Sequence, residues 1–139
     1  MVSEDAAASE DAAVPAKLRY TQEHEWVSPS AKGTVRVGIT HHAQSQLGDV
    51  VFVQLPQIGD SVVTGEPVVE VESTKSVSDV YAPVAGEVVA CNTALEGSPE
   101  LINDDPYGEG WMIEIKLADG VTVNSLMAAA DYQLFIAQP

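Results

Sequence analysis

Basic residues are scarce in this 139-residue chain. Six Lys and Arg stand against 21 Asp and Glu, a formal net charge of -15. Nucleic acid and anionic membrane need clustered cations against phosphate, so neither is an expected partner. Cysteine is nearly absent too. With Cys91 alone no intrachain disulfide can form, and its place in Val88-Val89-Ala90-Cys91 suits a small packed hydrophobe in a reducing compartment. No apolar run approaches the length of a membrane span. No spaced glycine triad precedes a helix, so a phosphate-cradling loop is not expected. His41-His42 has no Cys/His set around it, and His24-Glu25 lacks the second histidine of a helical zinc motif, so metal is not expected. Residues 1–16 are Ala, Ser, Glu and Asp with few large apolar side chains, and an acidic disordered tail is expected there. That segment is neither Arg-rich like a transit peptide nor built like a secretory signal, which makes bacterial cytoplasm the simplest location.

What the chain does have is valine in short runs, punctuated by Gly and Pro, which favours many short strands in one domain. Strands are expected at 19–21, 25–27, 34–39, 49–55, 61–63, 68–72, 77–82, 87–91 and 111–117. Thr40 caps a short helix over His41 to Leu47, with Gly48 as its stop. Residues 101–110 read as a polar, shaped loop. A C-terminal helix is expected from Asn124 to Phe135, packing through Leu126, Met127, Ala130, Tyr132 and Leu134. The expected fold is mainly β, an antiparallel sandwich or flattened barrel with one short internal helix and one C-terminal helix.

The segment 71–83 organises this pattern. Two strands meet at the polar tip Ser73-Thr74-Lys75-Ser76, and each continues through a turn into a further strand. The two halves therefore resemble each other about Lys75. No Gly, Asn or Asp occupies the tip, so turns that need positive φ are disfavoured. A type I turn with Ser first and Lys75 third is expected, which points the lysine into solvent. Lys75 is one of only four lysines, so it is not part of a general basic surface. An exposed turn lysine alone carries no function.

The neighbouring motifs add weight. Tyr20-Thr21-Gln22-Glu23-His24-Glu25-Trp26, Val37-Gly38-Ile39-Thr40, Leu47-Gly48-Asp49-Val50-Val51-Phe52-Val53, Val71-Glu72-Ser73-Thr74-Lys75-Ser76, Ala82-Pro83 and Pro106-Tyr107-Gly108 occur in order. In these the chain, from about Leu18 to Phe135, resembles the glycine cleavage system H proteins, relatives of lipoyl and biotinyl carrier domains of hammerhead type. The resemblance implies a single carrier domain over 17–139 with lipoate in amide linkage on Lys75. It implies a non-catalytic carrier that takes an aminomethyl group from glycine decarboxylase (the P protein), a pyridoxal-phosphate enzyme. The group then passes to a tetrahydrofolate-dependent aminomethyltransferase (the T protein), and dihydrolipoamide dehydrogenase (the L protein) reoxidises the carrier. Lipoate-attaching enzymes are further implied partners, and the carrier is expected to be a monomer making transient contacts. Glu25 and Asp79 match motif positions near a cleft, where they would face the amine of the loaded arm. Glu23 departs from the small polar residue common at its position. An H-like protein that relays lipoate to other enzymes is the alternative. Biotinyl domains usually flank their lysine with Met, and 2-oxo acid dehydrogenase lipoyl domains usually show Asp-Lys-Ala, whereas Thr74 and Ser76 flank Lys75 here.

Overall fold

The computed structural model describes residues 13–30 and 32–138. Ten strands are present: β1 Arg19–Tyr20, β2 Glu25–Pro29, β3 Thr34–Ile39, β4 Val50–Gln54, β5 Ser61–Val62, β6 Pro67–Ser73, β7 Val77–Tyr81, β8 Gly86–Cys91, β9 Ile113–Leu117 and β10 Met127–Ala128. Among the described residues four helices accompany them: α1 His41–Leu47, α2 Ala94–Gly97, α3 Leu101–Asp104 and α4 Ala129–Ala137.

The strands form two antiparallel sheets, one of seven strands in the order β10-β1-β2-β3-β9-β8-β5 and one of three in the order β4-β6-β7. Neither closes into a barrel, so the sandwich form of the expectation is the observed one. Alternation explains the packing. In β3 and β9 the side chains of Val35, Val37, Ile113 and Ile115 are buried, and in the small sheet Val53, Val69, Val71 and Val80 are buried, all within one cluster. Each such side chain contributes roughly 1.5–3 kcal/mol when taken fully from water. A second, aromatic cluster holds Tyr20, Trp26 and Tyr132.

The likeness of the two halves about Lys75 has a structural counterpart. The inner strands β6 and β7 pair with each other in the small sheet, while the outer strands β5 and β8 pair in the large one. The turns between them are tied by Gly65 N–H to Ala82 O and Ala82 N–H to Glu66 O, both 2.8 Å. The β6–β7 hairpin thereby projects its tip from a doubly anchored base.

Three expectations differ from the structure. The C-terminal helix begins at Ala129, five residues later than expected, because Met127 and Ala128 extend to pair with β1. Its packed face is Ala129 and Tyr132, while Leu134 is 67% exposed and Ala130 also faces water. The loop 101–110 contains α3, and Ile102 is buried in the main core. The expected tail 1–16 lies outside the described residues as far as position 12. Val14 is buried in the aromatic cluster, and Pro15 O accepts from Tyr20 Oη at 2.5 Å. Ala13 packs against the same cluster and Tyr107 Oη donates to Ala13 O, so apolar contact and two tyrosine hydrogen bonds dock this last piece.

Candidate functional site

The tip is built by one hydroxyl. Ser73 Oγ accepts from the backbone N–H of Lys75 and of Ser76, each at 3.1 Å, and Ser73 N–H donates to Ser76 O at 2.8 Å. The side chain of Ser73 thus takes the place that the first carbonyl holds in the expected type I turn. No residue of the tip has positive φ; among the described non-glycine residues only His24 does. Thr74 N–H donates to Asp49 O at 3.0 Å, fixing the tip to the strand beside it. Lys75 itself is exposed. Among the described residues the only ion pair is Arg36–Glu114, and none of their carboxylates holds the Lys75 ammonium.

Gly48 makes room for this lysine. It stops α1 at φ 80°, and a Cβ built there would lie 3.0 Å from Lys75 Cε. The aliphatic stem of Lys75 therefore lies across the C-terminal end of α1. Both the backbone conformation and the close approach favour glycine.

A cleft of about 550 Å³ adjoins the tip. Ser76, Asp79 and Tyr81 of the hairpin form one wall, Ala43 and Leu47 of α1 another, and Glu23, His24 and Glu25 close the far end. The structure therefore places Glu25 and Asp79 on one cavity that begins beside Lys75. Their settings differ. Asp79 is exposed and also borders a second groove of about 410 Å³, lined by Gln54, Asp60 and Glu70 among others. Glu25 is 2% exposed. Its Oε1 accepts from Thr21 Oγ1 at 2.5 Å and its Oε2 from Tyr81 N–H at 3.1 Å. Burial pushes its carboxyl up to about 7, against the two hydrogen bonds that favour the charged form. Glu25 is thus poised to change charge near neutrality, and a cation entering the cleft would favour its ionised form.

The far end of the cleft is anchored from behind. Trp26, next to Glu25, donates from Nε1 to Pro106 O at 3.0 Å. Gly38 pairs with Trp26 across β2 and β3, and a Cβ on Gly38 would stand 2.7 Å from the indole ring. The bulk at one position is accommodated by its absence at the other.

Other singled-out residues fall in structural places. His41 Nδ1 meets Gln44 Nε2 at 3.1 Å, and its N–H donates to Tyr107 Oη at 2.9 Å. His42 packs on His24 with ring centroids 4.7 Å apart. Cys91 Sγ donates to Pro56 O at 3.2 Å. Among the described residues no group of three or more His, Cys, Asp or Glu stands where it would hold a metal ion, and no helix is long and apolar enough to cross a membrane. Sequence reasoning missed the bond from His24 Nδ1 to Tyr132 Oη, 2.8 Å long and spanning 108 positions in the chain. No local pattern announces such a contact.

Comparison with known proteins gives a consistent family. The profile described as Glycine cleavage H-protein matches residues 18–138. The Glycine cleavage system H protein of Mycobacterium avium is 59% identical over 116 residues, covering 84% of this chain and 88% of that one. Its counterpart in Alteromonas mediterranea is 52% identical over 120 residues, covering 86% and 93%. The crystal structure of a glycine cleavage system H protein from Mycobacterium marinum superposes with a TM-score of 0.81 at 42% identity. It covers 90% of this chain and 100% of that one.

Proposed function

The chain belongs to the glycine cleavage H-protein family, and on that footing we propose that it is a lipoate carrier of glycine cleavage, with Lys75 as the attachment point. The observation that carries this reading is the tip itself. One exposed lysine stands without an ion-pair partner among the described residues, at the apex of a hairpin anchored in two sheets. An attaching enzyme needs a reachable amine, and a visiting carrier needs a long arm on a rigid base.

The residues present fit the group. Amide formation removes the Lys75 charge, and no neighbouring carboxylate loses a partner. The stem lies over Gly48, just past the end of α1, whose Ala43 and Leu47 line the cleft. When bound, lipoate supplies a dithiolane whose sulfur accepts an aminomethyl group. This chain's own residues bind and shelter that cargo. Glu25 and Asp79 hold its amine by charge-assisted hydrogen bonds, and the cleft limits its exposure to water. The protein supplies no nucleophile and serves as a non-catalytic component. Its partners are glycine decarboxylase, the folate-dependent aminomethyltransferase, dihydrolipoamide dehydrogenase and a lipoate-attaching enzyme, met in turn through small contacts.

Reconstitution tests the reading. The lipoylated chain added to the three enzymes is expected to support glycine-dependent carbon dioxide release, and Lys75→Arg to support none. Full activity of Lys75→Arg would overturn it.

A further inference from the structure

Three side chains from three segments form one run of hydrogen bonds. Thr40 Oγ1 lies 2.8 Å from Tyr132 Oη, and Tyr132 Oη lies 2.8 Å from His24 Nδ1. Thr40 and Tyr132 are both 0% exposed. Proton counting sets the direction of the run. Thr40 Oγ1 already accepts from Ala43 N–H as the cap of α1, at 3.2 Å. If His24 donated from Nδ1, Tyr132 would donate to Thr40, and the Thr40 proton would be left without an acceptor where water does not reach. Only the order Thr40 to Tyr132 to His24 gives every buried hydroxyl proton an acceptor. In that order Nδ1 carries no proton, so the ring is neutral with its proton on Nε2.

His24 is held there at some cost. It is the only non-glycine residue at positive φ among those described, at 70°. Its N–H donates to Thr21 O at 3.1 Å and its carbonyl accepts from Thr40 N–H at 3.0 Å, which fixes that conformation. Strained backbone held by its surroundings is a common accompaniment of function. Here the strained residue lies on the cleft wall immediately before Glu25.

We propose that Tyr132 is a positioning residue of the cleft: by donating to His24 Nδ1 it keeps that ring uncharged, so that no cation of the protein competes with the cargo amine for Glu25 and Asp79. The inference rests on the reading of the cleft as an amine shelter. The groups facing His24 are consistent with it. Burial, and then His42 from α1, disfavour a charged His24, while Glu23 of the same turn favours one. Glu25 and Asp79 share the cleft, Tyr132 comes from α4, and Phe135 of that helix packs on the ring at 5.8 Å.

Tyr132→Phe removes the one donor while preserving the ring stacked on Tyr20 at 4.7 Å. Imidazole nitrogen shifts of the full chain, recorded by NMR without any cargo, read the tautomer directly. The wild type is expected to show unprotonated Nδ1 on His24 and to titrate below the ordinary histidine range. In Tyr132→Phe the tautomers mix and the midpoint rises by about 0.5–1 pH unit. The same variant, lipoylated and loaded, is expected to lose its aminomethyl group about threefold faster than wild type near pH 6 and at an equal rate near pH 8. An unchanged His24 signature in Tyr132→Phe overturns the inference whatever the cargo does. A shifted signature with an unchanged loss rate also overturns it. In that case Glu25→Ala identifies the fault: loss unaffected by Glu25→Ala means that the shelter reading has failed, whereas faster loss confines the failure to the relay.

Discussion

The two ends of the cleft are built by opposite means. At the hairpin tip, one serine hydroxyl arranges four consecutive residues, and the result is an exposed lysine. At the far end, Thr21, His24, Glu25, Thr40, Tyr81 and Tyr132, distant in sequence, share hydrogen bonds around groups that water barely reaches. As an attachment point the tip would have to be reached by enzymes, so it needs little more than local turn chemistry. The far end must hold a charge-changing carboxyl in a fixed place, and only tertiary packing does that. On the proposed function, attachment is therefore a local property of this fold, and shelter is a distributed one.

If that contrast is right, damage to the far end should spare attachment. Glu25→Ala is expected to be modified at Lys75 like wild type, yet to lose a loaded aminomethyl group about five- to tenfold faster in the isolated protein. Equal loss rates would erase the distinction between the two ends. It also strands the Tyr81 N–H, so stability should fall by about 1–3 kcal/mol in denaturant titrations.

The pH dependence of stability gives a second, smaller test. The Glu25 carboxyl sits at about 7 in the fold, above its ordinary 4.5. A carboxyl raised by folding favours the folded state most when it is protonated in both states. Its contribution is therefore full below about 4.5 and declines as pH rises through about 7. The stability of wild type relative to Glu25→Gln should fall by about 3 kcal/mol between about pH 4.5 and 7.5. A flat difference would mean that Glu25 is more solvated than its 2% exposure implies. The tip should respond more mildly. Ser73→Ala removes an acceptor from two backbone N–H groups near solvent and is expected to cost about 1 kcal/mol, read as a lower melting temperature, without abolishing lipoylation.

The same contrast explains what was legible in the sequence. The α1 helix was readable to the residue because Thr40 and Gly48 are local signals at both ends. The hairpin was readable because alternation and a polar tip are local as well. The start of α4 was not, since Met127 and Ala128 are drawn into a strand by β1, more than 100 positions earlier. Leu134 read as core from its apolarity alone, and the register set by Tyr132 turns it to solvent. At the site, Lys75 stood out by its place in the pattern. Glu25 and Asp79 entered only through family resemblance, and Tyr132 entered as a packing residue. Its hydroxyl became informative once His24 and Thr40 were seen beside it.

If the carrier reading is right, Lys75, and no other of the four lysines, bears the cofactor. Intact mass and peptide mapping of the protein from a lipoate-competent host test this most directly. One lipoyl increment on the peptide containing Lys75, absent from Lys75→Arg, is the predicted result. An increment on Lys17, Lys32 or Lys116, or a chain that stays unmodified beside an active attaching enzyme, would contradict it.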